Sequence, residues 1–229
     1  FEAIIKSHKK FAYETIDDVI EGKEIEASEV EKGIFEDLLA LYEVTKDLRK
    51  TRLKTGYDFR THEYRQRLDN NYEVESITVE SSTASHQLVE ECMLLANIEA
   101  SKKVNTVGIY RIHEEPSFKA IVSLVDDVNS LGIKAKMGSS VHDTVLSIQK
   151  SAESTTFAAE VDELIIQSQS QAKYSSKNLG HFGLGFKSYS HFTSPIRRYS
   201  DLVLHRMLKT KAVPDNIDGI CEHISVQER

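Results

Sequence analysis

Tryptophan is missing from this 229-residue chain, and cysteine and proline are scarce, at two and three residues. Cys92 and Cys221 lie far apart and outside any metal-ligand spacing, so both read as free thiols in a reducing compartment. No apolar run approaches the roughly 20 residues that cross a bilayer. No charged segment followed by an apolar one opens the chain, so the sequence predicts neither a secretory signal nor a membrane role, and a cytoplasmic location. Internal repeats, low-complexity tracts and Pro/Gly linkers are also lacking, which predicts one structural unit. An excess of basic charge is absent too: 36 acids outweigh 29 bases for a net charge of −7. That argues against a broad electrostatic surface for nucleic acid but leaves room for a narrow basic channel in an acidic shell. The first residue is Phe1 rather than Met, and CEHISVQER ends the chain without a turn signal or polar tail. Both ends predict a piece of a longer chain.

What is there reads as α+β. FAYETIDDVIEG places Phe11, Ile16, Val19 and Ile20 at helical spacing and stops on Gly22. Lys23 to Lys32 is charged and reads as a loop or exposed first turn, and GIFEDLLALYEVTKDLRKTRLK as a second helix. Its early acids and late bases match the helix dipole. YDFRTHEYRQRLDNNYEVESITVE alternates after Asn70-Asn71 and predicts a hairpin. SSTASHQLVEECMLLANIEASKKV predicts a helix apolar almost all round and hence buried, with Ser82, Thr83 or Ser85 as cap and Glu90, Glu91 and Asn97 inside it. A short strand in VGIYRIHEEPSF, an amphipathic helix closing on Gly132, and a polar stretch over 133–172 with helical patches follow. The adjacent acids Asp17-Asp18 and Asp126-Asp127 point about 100° apart on a helix and so read as solvated faces rather than metal pairs.

The stretch HFGLGFKSYSHFTSPIRRYSDLVLHR, His181 to Arg206, carries the chemistry. Ser194 is a good N-cap and Pro195 suits the first helical position, which places Arg197 and Arg198 in a first turn whose dipole repels cations. Arg198, Asp201 and His205 share a polar face. The same helix start suits an anion, because free N–H groups and the positive dipole end converge there. Arginine adds a planar fork that grips phosphate through two bonds. Gly180, Gly183 and Gly185 allow close backbone approach, and His181, Tyr189, His191, Phe192 and Tyr199 offer aromatic faces. Together these predict a seat for a nucleotide chain, with phosphate held and bases stacked. The plainer reading has Arg198 paired with Asp201 on the surface and Arg197 solvated.

HFGLGFKSYSHFTSPIRRYSDLVLHRML closely resembles the signature of the ribonuclease II/R family of exoribonucleases, whose catalytic domain is called RNB, on the bacterial ribonuclease R side of that family. LVEECMLLANIEASKKV is similar to that domain's central helix, and GIYRIHEEPSFKAI to the strand and turn after it. FAYETIDDVIEG and KTGYDFRTHEY fit the family's upstream order. The resemblance implies helices packed on a mixed sheet, with residues 1–229 forming the C-terminal portion of a single RNB domain. It implies processive, Mg²⁺-dependent hydrolysis of single-stranded RNA from its 3′ end to 5′-mononucleotides by a monomer, without a small-molecule cofactor. By motif position it places Arg197 on the phosphate at or beside the scissile bond, supported by Arg198 and the Ser194-Pro195 turn, with Tyr199 beside them as an RNA-binding aromatic by its place in the stretch. Glu90 would place the terminal nucleotide, Tyr13 would bear on the sugar, and Phe59 would stack on a terminal base.

The chain departs from the family pattern in what it lacks, including the flanking OB-type RNA-binding domains. The family's clustered-aspartate segment, which holds the metal, would precede Phe1, and a further acid would follow Arg229. The resemblance therefore implies metal ligands outside this chain. The alternative is a catalytically inactive homologue that binds RNA or another phosphate ligand.

Overall fold

The computed structural model describes residues 3–59, 63–80, 82–104 and 107–228. In chain order the elements are α1 (Tyr13–Ile20), α2 (Glu29–Arg52), β1 (Glu63–Leu68), β2 (Val74–Glu80), α3 (Ala84–Lys103), β3 (Tyr110–Ile112), α4 (Phe118–Ser130), α5 (Val141–Ala152), α6 (Ala158–Ser168), β4 (Lys173–Ser175), α7 (Tyr199–Thr210) and α8 (Ile217–Gln227). They divide into two compact units, residues 1–51 with 81–94 and residues 52–80 with 95–229. No linker is needed for this division, because α3 supplies residues to both.

The first unit holds α1, α2 and the first half of α3. α1 buries Ile16 and Val19, three residues apart on one face, and stops where Gly22 turns to φ +74°. The charged stretch ahead of α2 is not all loop. Ser28 and Glu31 form a capping box: the Ser28 N–H donates to Glu31 Oε2 at 3.0 Å, and the Glu31 N–H to Ser28 Oγ at 3.4 Å. The helix therefore starts at Glu29, earlier than its apolar spacing predicts. Asp17 is no solvated acid either. Its Oδ1 accepts the Ser85 N–H at 2.8 Å, satisfying an orphan donor in the first turn of α3. Asp18 meets Lys23 at 2.6 Å. α3 is not buried all round, since Leu88 and Leu94 are buried but Val89 and Leu95 are exposed.

In the second unit the predicted hairpin is present. β1 and β2 pair antiparallel from Glu63 opposite Glu80 to Leu68 opposite Val74. Asp69 organises the turn, with Oδ1 accepting the N–H groups of Asn71 and Glu73 at 2.8 and 2.9 Å, and Tyr72 sits at φ +64°. The alternating Tyr72, Val74, Ile77 and Val79 are exposed, so the pattern marks the strand without marking a core. The polar stretch after Gly132 holds the best-packed part of the unit. Ile121, Val128, Val145, Ile148, Val161 and Ile165 of α4, α5 and α6 are wholly buried against one another. Ser117 and Ser140 cap α4 and α5 through their hydroxyls.

A second core joins Ala100 of α3, Ile109, Tyr174 of β4, Val203, Leu204 and Met207 of α7, and Ile217 and Cys221 of α8. β3 and β4 pair antiparallel, and just beyond β3 His113 forms a single parallel bridge with His181. The α+β class is the observed one. Among the described residues the strands form two separate two-stranded antiparallel sheets, each too small to carry the helices on its own. No helix among the described residues is long and apolar enough to cross a membrane.

Candidate active site

The arginine pair lies in the second unit, and its local geometry differs from the sequence expectation. α7 starts at Tyr199, not at Pro195. Residues 195–197 form a turn, closed by the Arg197 and Arg198 N–H groups on Ser194 O at 3.2 and 3.0 Å. Ser194 is thus no N-cap. Its own N–H donates at 2.7 Å to Oδ1 of Asp201, a wholly buried side chain in the first turn of α7. Asp201 is the reason the helix starts late. A buried carboxylate must have its lone pairs filled, and the turn brings Ser194 and Arg198 onto it.

Arg198 closes on the same carboxylate with Nε 2.9 Å from Oδ2 and Nη2 2.8 Å from Oδ1. The Ser200 hydroxyl stands 3.0 Å from Oδ2 and 3.1 Å from Tyr174 Oη and donates to one or the other. Burial pushes the Asp201 carboxyl up. The Arg198 fork, the Ser194 N–H and the Ser200 hydroxyl outweigh it and hold the group below the ordinary aspartate range. Arg198 is therefore spent on its neighbour. Arg197 is exposed, and no described hydrogen bond or ion pair holds its guanidinium. No side chain caps α7. Arg197 and half-exposed Tyr199 line a groove of about 660 Å³ together with Gly219, Ile220, His223 and Gln227 of α8.

The segment entering the turn is held from inside. Asn97, 2% exposed on α3, accepts the N–H groups of Phe192 and Thr193 on Oδ1 at 2.9 and 3.2 Å. Its Nδ2 donates to Tyr189 Oη at 2.9 Å. His205 Nε2 lies 2.8 Å from Phe192 O, and a carbonyl can only accept, so that nitrogen carries the proton. The His205 ring stacks on Phe192 with centroids 4.2 Å apart.

Most of the predicted stacking aromatics are therefore internal. Tyr189 is buried, with His181 and His191 edge-on to it at 5.4 and 5.6 Å. Burial first, with neighbouring positive charge from Arg111 on both, His113 on His181 and Arg198 on His191, pushes both histidines down to about 3, so both are neutral at pH 7. Tyr199 is the one aromatic of that set that is exposed. At Gly185 the glycine loop packs against protein. Gly185 lies at φ +71°, and a Cβ there would collide with the backbone of Thr55 and Gly56.

The remaining predicted residues fall in both units. In the first unit Tyr13 stacks on His86, with centroids 3.9 Å apart and planes 15° apart. Glu90 is not the buried acid of α3. Its side chain is half exposed, and the buried carboxylate is its neighbour Glu91, with Arg49 Nη1 at 3.5 Å from Glu90 and 3.3 Å from Glu91. One residue on a helix is a 100° rotation. In the second unit Phe59 is half-buried against the α4–α6 core, beside Tyr57 at 6.1 Å. Sequence reasoning did not find a role for Asn97. Its signal was a lone amide in an apolar run. Among the described residues no group of three or more His, Cys, Asp or Glu side chains could hold a metal ion, so the residues described do not fit the magnesium site that the resemblance implies.

The RNB domain model matches residues 1–212, and the chain belongs to that family. Ribonuclease R of Helicobacter pylori is 37% identical over 212 residues, which cover 91% of this chain and 32% of that protein. Ribonuclease R of Escherichia coli is 33% identical over 214 residues, covering 91% of this chain and 26% of that one. This chain thus spans a third or less of the length of these relatives. Among solved structures, Mycoplasma genitalium RNase R in complex with ribose methylated single-stranded RNA superposes with a TM-score of 0.83 at 24% identity, over 95% of this chain and 37% of that one. Yeast Ssd1, described as a pseudonuclease, superposes with a TM-score of 0.64 at 15% identity, over 93% and 27%.

Proposed function

We propose that this chain is the C-terminal portion of the RNB catalytic domain of a 3′-to-5′ exoribonuclease, and that Arg197 is its grip on the RNA backbone. One observation supports this most directly. Of two adjacent arginines, one is neutralised by a buried aspartate and the other is left without a described partner beside an uncapped helix start. A solvated arginine could sit anywhere, but here the turn, the helix dipole and the groove all converge on it. Its fork would take two non-bridging oxygens of the scissile phosphate and offset the charge that grows there as water attacks phosphorus and the 3′ oxygen of the preceding nucleotide departs, leaving the phosphate on the 5′ carbon of the released nucleotide. Tyr199 would offer its exposed ring to a base or sugar, while Arg198 and Ser194 would act only by shaping the turn. Glu90 and Tyr13 would place the terminal nucleotide and its sugar, and Phe59 the terminal base.

Magnesium would be held by residues outside this chain. The protein would act processively on single-stranded 3′ ends as a cytoplasmic monomer and release 5′-mononucleotides. The test is the full-length protein with and without Arg197→Ala, on 5′-labelled single-stranded RNA with Mg²⁺. The expected result is conversion of the labelled RNA to a short 5′ end product with few intermediates by the parent and about a 10²-fold slower rate in the variant. Equal rates would remove Arg197 from the site.

A second reading is an inactive RNA-binding homologue. The same fold occurs in a protein described as a pseudonuclease, and a fold does not by itself imply cleavage. Intact RNA in the parent lane, with RNA retained on the protein, would favour it.

A further inference from the structure

We infer that Asn97 is a positioning residue for Arg197: from inside α3 its carboxamide fixes the backbone that carries the arginine turn. The inference rests on the reading of Arg197 just given.

Phe192, Thr193 and Ser194 enter the turn as irregular chain. Their three successive N–H groups nevertheless all have acceptors. Two go to Asn97 Oδ1 and the third to Asp201 Oδ1. Both acceptors are almost wholly buried and come from different helices, α3 and α7. A buried acceptor must be filled, so rotation of this segment would strip the Asn97 and Asp201 oxygens of their donors.

The amide's orientation is settled by its partners. Two N–H groups face the same atom, and only the oxygen of a carboxamide can accept. The NH₂ end meets Tyr189 Oη, and the buried phenol stops the amide from turning. Ser194 O then closes the turn on Arg197 N and Arg198 N, three and four residues on. The path from Asn97 to the Arg197 Cα is thus a continuous run of held backbone. The geometry has a clear use for an arginine that has no described anchor of its own. A long side chain loses orientation unless its base is fixed, and displacement of a charge-stabilising group by about 1 Å costs about 10²-fold in rate.

Three variants of the full-length protein test this, assayed on single-stranded RNA with Mg²⁺. Asn97→Leu keeps volume and removes both functions of the amide. Asn97→Asp keeps an acceptor for both N–H groups and can accept from the Tyr189 hydroxyl. Arg197→Ala removes the group being positioned. The expected result is a kcat loss of about 10²-fold for Asn97→Leu, recovery of most of it in Asn97→Asp, and KM changed far less than kcat. In the Arg197→Ala background Asn97→Leu should cost no further rate, because an arginine that is gone cannot be misplaced. A role confined to stability would cost the same factor in both backgrounds and would overturn the inference, as would parental kcat in Asn97→Leu.

If Arg197→Ala alone leaves the rate unchanged, or the parent does not shorten RNA, the underlying reading fails first and the inference with it. Should Asn97→Leu not fold, Tyr189→Phe, which frees the amide to turn, must show faster hydrogen exchange at the Phe192 and Thr193 amides together with the kcat loss. Unchanged exchange, or faster exchange with parental kcat, would equally count against Asn97.

Discussion

Arg198 and Asp201, three residues apart, are locked in a two-point contact of 2.8 and 2.9 Å in which the carboxylate is wholly buried. The guanidinium keeps some exposure, so this is an ion pair with one foot in water. Exposed pairs of this spacing contribute a few tenths of a kcal/mol. This one differs because Asp201 also receives the Ser194 N–H and lies 3.0 Å from the Ser200 hydroxyl. Removing a partner leaves an unfilled buried group, which costs about 3–5 kcal/mol. Asp201→Ala should therefore lower unfolding stability by about 3 kcal/mol in urea titration. A loss below about 1 kcal/mol would show that the carboxylate does not organise the turn.

The two arginines should separate cleanly. Arg197→Ala should leave stability within about 0.5 kcal/mol of the parent, because exposed side chains without partners contribute little. Arg198→Ala should destabilise, since it strips Asp201 of its main counter-charge. Thermal denaturation of both, alongside RNA turnover, should show activity lost without stability for Arg197 and both reduced for Arg198. The opposite assignment would exchange their roles.

His181 and His191 predict an acid-side weakness. Both lie near 3 in the folded protein, against an ordinary histidine value of 6.5. Between those values the unfolded chain binds a proton at each site and the folded chain does not, so stability rises with pH across the window and is lost as pH falls through it. Each histidine contributes a slope of about 1.4 kcal/mol per pH unit in mid-window. Urea midpoints measured from pH 7 to pH 4 should fall steadily, and His181→Gln should flatten the slope by about half of the pair's combined contribution. A flat profile would mean that the two rings are protonated, or water-exposed, in the folded state.

Gly185 carries a backbone requirement. Its φ of +71° disfavours any side chain, and a Cβ would also strike the Thr55–Gly56 backbone. Gly185→Ala should destabilise by more than the roughly 1–3 kcal/mol of strain alone, whereas Gly22→Ala, equally left-handed but with open space around it, should cost no more than that strain. Equal losses at the two positions would show that the loop can move off residues 55–56.

Much of the local order was legible in the chain. Capping and stop signals placed α1, α3 and α4 within a few residues, because caps and glycine stops act over three or four positions. The capping box at Ser28 and Glu31 is equally local, and the exposed first turn that it starts is one of the two readings the charged stretch allows. The motif around Arg197, and with it the family, was legible because such a run of residue types constrains chemistry directly. The burial of neighbouring residues was not. Glu90 and Glu91 differ by 100° of helix rotation, and the phase of a helix that reads apolar nearly all round is set by what packs on it. The aromatics of the glycine-rich stretch read as a stacking platform, yet Tyr189 is core and all but Tyr199 are at least half-buried, since side-chain type does not say which face of a loop is covered.

The sequence by itself determined the helix and strand inventory in outline, the RNB resemblance and the presence of two arginines at the approach to a helix. The pairing of Arg198 with Asp201, three residues on, is among the readings the sequence offers; the tertiary structure decided that the carboxylate is buried rather than on the surface. Asp201 is drawn inside by the apolar residues that flank it on α7, and once buried it must be satisfied. It takes Arg198 and the Ser194 N–H, while Asn97, about a hundred residues earlier, takes the two N–H groups before them. Contacts between positions so far apart depend on how helices pack across the core, and no local pattern in the chain encodes that.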